Sequence, residues 1–224
     1  MTTLVVAAHP DDEVLGCGAS IAKWSSIGEE VHILIMSEGI TSRSNTRDIG
    51  LKSKELSLLA RSAQQAGEIV GATSVKLLGF PDNRMDSLDR LDVIKAVEKE
   101  VDRLKPHLVV THHNGDLNID HRVVHEAVVT ACRPQPGHSV CRLLAFEVPS
   151  STEWQQNIVF QPNWFEDVTK TIGCKIEALK VYDSEMREWP HARSLKNVEN
   201  LAMWRGSSVG CEAAEAFMLI REVR

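Results

Sequence analysis

Four short apolar runs, at residues 4–8, 31–36, 75–78 and 107–111, are each followed by a longer stretch with helical spacing of its apolar positions. A strand that is apolar throughout has to be covered on both faces, and the helix that follows it supplies the cover. The alternation therefore specifies βαβ units around a parallel sheet. A fifth, weaker run spans 141–146. Helices are expected at 14–26, 47–70, 88–104 and 121–132, with stops at Gly28, Gly71, Pro106 and Pro134. Past residue 147 the pattern changes: 164–182 and 195–203 read as helical, whereas 147–162 mixes polar residues with Trp154 and Phe160 and is expected to help wrap a site. The expected fold is α/β, a Rossmann-like three-layer αβα sandwich with a mostly parallel sheet. No repeat or Gly/Ser/Pro-rich linker divides the chain, and 224 residues suit one hydrophobic core, so a single domain over 1–224 is expected.

Composition narrows the function classes. A formal net charge of -6 lacks the clustered Lys and Arg that phosphate neutralisation requires, which excludes nucleic acid as the expected partner and favours small-molecule chemistry. The apolar stretch after Met1 has no basic leader, and nowhere are there eighteen consecutive apolar residues, so no membrane span is expected and the cytoplasm is the expected compartment. Self-association is compatible with this composition. Five scattered cysteines without a C-x-x-C pair read as small buried hydrophobes rather than as disulfides or a zinc knuckle.

In an open α/β sheet, ligands gather beyond the carboxyl ends of the strands. Three polar clusters fall there: 9–13 after the first strand, 37–43 after the second and 112–121 after the fourth. Asp11, Asp12 and Glu13 could cap a helix, but one carboxylate suffices for that, and three adjacent ones repel unless a cation is present. His9 and Asp12, with His121 from the fourth strand end, would complete the His₂-carboxylate set of catalytic zinc sites; Fe²⁺ suits the same set. His125 follows His121 by one turn, yet Arg122 stands where a zincin helix carries its Glu, so His125 reads as a surface or supporting histidine. His112 and His113 alternate in direction along the strand, so at most one faces the site. Gly16-Cys17-Gly18 with Glu38 suggests a dinucleotide site, but Ile21 replaces the third glycine and the acidic run before it would repel a pyrophosphate.

Ala8-His9-Pro10-Asp11-Asp12-Glu13 and, further on, Asn118-Ile119-Asp120-His121 resemble the PIG-L, or LmbE-like, family of metal-dependent de-N-acetylases. Ser37 to Arg43, Phe80-Pro81-Asp82-Asn83-Arg84, Thr111-His112-His113, Ser150 to Trp154 and Ala213 to Phe217 extend the resemblance along nearly the whole chain. The resemblance implies an α/β fold in which His9, Asp12 and His121 hold zinc, or Fe²⁺ or another divalent metal, and Asp11 is the general base. Zinc would lower the pKa of a bound water and polarise the amide carbonyl, while Asp11 takes the proton and returns it to the leaving amine. Many members carry a histidine where this chain has Asn118; the carbonyl's partner is then Asn118 itself, His113 or His191. Asp120 is either a helix cap or the carboxylate that orients a ligand imidazole. Arg43, Asn83, Arg84, His113, Arg187 and His191 are the expected substrate contacts, the arginines as grips for a phosphate or carboxylate. The implied substrate is an N-acetylated amino sugar or its conjugate. A metal-dependent amidase on a non-sugar N-acyl substrate and a non-hydrolytic metal-binding protein are the alternatives, the latter having no need of Asp11.

Overall fold

A computed structural model describes residues 1–223. The first half is built as the apolar runs require: β1 (Thr2–Ala7), α1 (Asp12–Ser26), β2 (Glu30–Ser37), α2 (Ser53–Ile69), β3 (Ser74–Phe80), α3 (Arg90–Leu104), β4 (Leu108–His112) and α4 (Ile119–Ala131). Then follow β5 (Arg142–Phe146), β6 (Trp164–Asp167), α5 (Ile172–Val181), α6 (Leu195–Ser207) and β7 (Ala214–Glu222). The seven strands lie in the order β3-β2-β1-β4-β5-β7-β6. The first five in that order run parallel, with Val5 paired to Ile33 on one side and to Val110 on the other, while β7 is antiparallel to both β5 and β6.

Each central strand feeds two cores because its alternate side chains point to opposite faces. Val5, Ile33, Val110 and Leu144 pack on one face with α1, α2 and α5, while Leu4, Leu34, Val109 and Leu143 pack on the other with Val93 and Val97 of α3 and Val124 and Val128 of α4. Three layers result. Gly16 owes its place to this packing and not to a pyrophosphate: a Cβ there would lie 2.3 Å from Cδ2 of Phe146, so α1 reaches the end of β5 only without a side chain.

Three sequence expectations need correction. Helix α2 starts at Ser53 rather than 47, because Arg47 turns back to bind both carboxylate oxygens of Glu38 at 2.8 Å and Asp48 accepts the Leu51 N–H in a local turn. The expected helix at 164–182 is shorter: Trp164–Asp167 is a strand and only Ile172–Val181 is α-helical. Residues 214–222, read without an element, form the longest strand. Both errors have one cause, since β6 and β7 are strands by virtue of pairing with each other and with β5 across long sequence separations, which local periodicity does not record.

The chain leaves β1 toward β2 and β3, then returns to place β4 on the other side of β1. This reversal opens a crevice beyond the carboxyl ends of β1 and β4, where the residues after position 8 and position 112 meet.

Candidate metal centre and catalytic cavity

His9 Nδ1, Asp12 Oδ2 and His121 Nε2 converge in that crevice. Each imidazole nitrogen is 3.1 Å from Asp12 Oδ2 and they are 3.3 Å from one another. Asp12 Oδ1 is fully buried with no hydrogen-bond partner among the described residues, a costly arrangement unless a cation completes it. Burial opposes ionisation of Asp12, yet the charge of His121 and hydrogen bonds from both histidines hold it well below the usual carboxylate range. Burial likewise opposes charge on His9 and His121, but the carboxylates around them win: His9 is raised well above an ordinary histidine and His121 to about 9. The cluster as a whole attracts positive charge.

Each imidazole has a carboxylate on its far side. Asp120 Oδ2 lies 3.1 Å from His9 Nε2, and Asp120 is itself fastened by the N–H groups of Asn83 and Met85, at 2.6 and 3.0 Å. Of the two roles expected for Asp120, orientation is the one its geometry fits, and the imidazole it orients is His9, not its neighbour His121. The carboxylate behind His121 is Asp116, with Oδ1 at 3.1 Å from Nδ1; Thr152 donates to its Oδ2 at 2.6 Å and Ser151 to its Oδ1. Burial opposes ionisation of Asp116, but His121 beside it, and then the bonds from Ser151 and Thr152, hold it far below its usual range. His9, Asp82 and Asp120 form a second candidate trio, but its carboxylates already accept from the N–H groups of Ser42, Asn83 and Met85 and leave no oxygen orphaned.

His112 stacks on His121 with ring centroids 3.9 Å apart and accepts the Ala8 N–H at Nε2, 2.8 Å away. That lone pair is taken, and burial followed by the charge of His121 keeps the ring neutral, so His112 packs beside the cluster rather than in it. His125 Nδ1 donates to the His112 carbonyl at 2.8 Å, in keeping with a supporting role.

The three adjacent carboxylates do not share one ion, as the sequence suggested. Only Asp12 joins the cluster. Glu13 turns into the core, where Tyr182 donates to Oε1 at 2.5 Å and the Asp11 N–H to Oε2 at 3.0 Å; burial pushes its carboxyl up to about 8. These bonds hold Asp11 in a left-handed conformation, φ 107°, at the start of α1. Asp11 thereby lines a polar cavity of about 150 Å³ with His9, Arg43, Asn83, Asn118, Glu185 and Arg193. Burial raises its carboxyl to about 7, although Arg193, whose Nη1 is 2.9 Å from Oδ2, pulls the other way.

Asn118 is the cap of α4, its Oδ1 accepting the Asp120 N–H at 2.8 Å, and it also faces the cavity: Nδ2 donates one proton to Asn83 Oδ1 at 2.8 Å and retains a second. Arg43 lies at the cavity, paired to Glu185. The remaining expected contacts fall elsewhere. Arg84 begins the turn at Met85–Ser87 outside the cavity lining. Arg187 donates to the carbonyls of Ser184 and Met186 on another part of the surface. His191 faces a neighbouring groove, its Nδ1 accepting the Arg193 N–H at 3.0 Å. His113 is buried edge-on to Phe160, ring centroids 5.3 Å apart, because consecutive residues at the strand end turn opposite ways. Sequence reasoning overlooked Asp116, Tyr182, Glu185 and Arg193. Asp116 carried a signal, as an Asp two residues before an Asn at a helix start; the other three arrive from the last third of the chain and carried none.

A family model described as PIG-L: GlcNAc-PI de-N-acetylase matches residues 4–132. The chain belongs to the PIG-L family. A PIG-L match over 4–132 takes in the His9, Asp12 and His121 trio, Asp11 and Asn118, whereas Tyr182, Glu185 and Arg193 lie beyond it. An uncharacterized deacetylase of Escherichia coli, YaiS, is 32% identical over 81% of this chain and 90% of its own length. The diacetylchitobiose deacetylase of Thermococcus kodakarensis is 24% identical over 97% of this chain and 82% of its own. Among solved structures, the 4-carboxy-2-hydroxymuconate hydratase GalB of Pseudomonas putida superposes with a TM-score of 0.80 at 24% identity, over 100% of this chain and 97% of that one. This likeness is one of fold, and it puts a hydratase and the deacetylases on a common PIG-L-type scaffold. Fold alone therefore does not name the reaction.

Proposed function

We propose that the chain is a divalent-metal hydrolase that removes an N-acetyl group from an amino sugar or amino-sugar conjugate. The observation that carries this reading is the buried Asp12 carboxylate, whose Oδ2 meets two imidazole nitrogens at 3.1 Å while its Oδ1 has no hydrogen-bond partner among the described residues, with the Asp11 carboxyl beside it. His9, Asp12 and His121 would hold the metal; two imidazoles and one carboxylate suit Zn²⁺ with an open position, and Fe²⁺ is the second candidate. When bound, such a metal supplies Lewis acidity and eases the ionisation of water. Asp120 and Asp116 keep the two imidazoles aimed and basic. Asp11 takes the proton of the attacking water and passes it to the departing amine, for which a carboxyl titrating near neutrality is suited. The free proton of Asn118 Nδ2 and the Arg193 guanidinium would take the charge that develops on the carbonyl oxygen, a role supported by their both lining the cavity.

Membership of a de-N-acetylase family, a relative named as a deacetylase and another that acts on diacetylchitobiose support hydrolysis of an N-acetyl sugar over hydration. The test is acetate release from N-acetylglucosamine and N,N'-diacetylchitobiose by protein loaded with Zn²⁺ or Fe²⁺, compared with chelated protein. Metal-dependent acetate that disappears in Asp11→Asn is expected. A loaded protein that releases no acetate from N-acetylated sugars overturns the reading.

A further inference from the structure

The cavity at the metal cluster holds about 150 Å³, below the roughly 300–1,000 Å³ of pockets that enclose a whole small ligand, so a sugar conjugate must extend beyond it. A groove of about 580 Å³ adjoins it. The segment 189–193 is the common wall: Trp189, His191 and Ala192 line the groove and Arg193 lines the cavity. Three indoles from three separate segments line the groove, Trp154, Trp189 and Trp204, 52%, 50% and 67% exposed; Lys196 Nζ lies over the Trp189 ring, 4.9 Å from its centroid, and the faces of Trp154 and Trp204 carry no such cation among the described residues. Large aromatic faces left in water at one place mark a binding surface rather than packing.

The polar atoms of the groove define the chemistry of its occupant. Its two acidic side chains are committed, Glu147 accepting from Nε and Nη2 of Arg205 at 2.8 and 2.7 Å and Glu153 from the N–H groups of Ser150 and Ser151. Among the described residues no lysine or arginine lines it, and the two cations that touch its lining are engaged, Lys196 over Trp189 and Arg205 with Glu147. What stays available is neutral: the Asn200 amide, which has no partner among the described residues, and His191 Nε2, which carries the ring proton because Nδ1 accepts from Arg193. Indole faces with neutral donors suit the apolar face and hydroxyl rim of a pyranose, and the lining offers no uncommitted cation to hold a phosphate or carboxylate.

We propose that this groove is a subsite for a neutral sugar ring linked to the N-acetylated one, which makes neutral oligosaccharides, rather than anionic conjugates, the substrate class. The proposal rests on the deacetylase reading for the neighbouring cavity, and two readouts separate them. In the first, Zn²⁺-loaded Asp11→Asn protein is titrated with N,N'-diacetylchitobiose, with N-acetylglucosamine and with N-acetylglucosamine 1-phosphate while tryptophan fluorescence is followed. The disaccharide should give a saturable change that the monosaccharide and its phosphate lack, and Trp204→Ala or Asn200→Ala should weaken its binding about ten-fold, the loss typical of one central contact. In the second, Trp204→Ala should lower kcat/KM for the disaccharide about ten-fold more than for the monosaccharide. Trp154→Ala should behave alike, and the exposure of both indoles leaves folding undisturbed. Saturable disaccharide binding without turnover would keep the subsite and remove the deacetylase reading. The proposal falls if the phosphate binds as well as the disaccharide, if only N-octanoylglucosamine responds to Trp204→Ala, if Trp204→Ala abolishes a concentration-dependent dimer while leaving sugar binding intact, or if no sugar changes the fluorescence.

Discussion

His9 and His121 stand 112 positions apart, and each meets Asp12 with a separate carboxylate at its back. Metal affinity at such a centre depends on the aiming carboxylates as well as on the ligands. His121→Ala should therefore abolish tight metal binding, and Asp116→Ala should weaken it about 10- to 100-fold, both read by metal competition against a chelating dye. Asp11→Asn should keep the metal and lose at least about 10²-fold in turnover, since an amide of the same shape cannot accept a proton. The pH profile follows from the same residue. Burial raises Asp11 to about 7 without the metal, and a bound cation beside it would draw it downward. Thus kcat/KM should rise with pH as Asp11 ionises, with the acid limb of the loaded enzyme at or below neutrality. Arg193 draws that carboxyl downward, so Arg193→Gln should move the acid limb to higher pH while also lowering kcat; a limb that stays in place or moves down refutes the assignment of Asp11 as the titrating base. Asn118 cannot titrate near neutrality, so Asn118→Ala should cost about 10- to 10³-fold in turnover without creating or removing an alkaline limb.

At the scale of elements, the start of α1 is tied to the end of α5 by Glu13 and Tyr182. Glu13 is raised from 4.5 to about 8 by burial, so its folded state holds a proton that its unfolded state releases. The sign is that of a raised acid: the stabilisation is complete below about 4.5 and is lost as pH climbs through about 8. The melting temperature of the metal-free protein should accordingly fall between those limits, and Glu13→Gln, which cannot ionise, should flatten the fall. Tyr182→Phe removes the donor to a buried oxygen and should cost about 1–3 kcal/mol in chemical denaturation. Elements also mark where local patterns mislead. The run at 141–146, the weakest of the expected strands, is a central strand, while Trp164–Asp167 has an unremarkable local sequence and becomes an edge strand through its pairing with β7.

For the molecule as a whole, metal binding and folding are linked because His9, Asp12 and His121 come together only when β1, α1 and α4 are packed. A ligand at 1,000 times its dissociation constant adds about 4 kcal/mol to stability. Chelation should therefore lower the melting temperature by several degrees, the lost stability should return on adding Zn²⁺, and His121→Ala should show no such dependence in a differential scan.

Much of this was legible in residue order. The apolar alternation specified the parallel sheet, because strands covered on both faces need no partner information to be recognised, and His9, Asp11, Asp12 and His121 stood out because metal-binding residue types sat at strand ends. What Glu13 does was not legible: the repulsion argument assigned it to a cation, and only the packing of Tyr182 against α1 sends it into the core. The target of Asp120, the placing of Asp116 behind His121, the turning of His113 toward Phe160, and the arrival of Arg193 at Asp11 were decided by tertiary structure alone. The physical reason is common to all of them. A strand or a ligand type is announced by its own chemistry, whereas an ion pair, an antiparallel edge or an aromatic groove is a relation between segments that only the folded chain brings within reach.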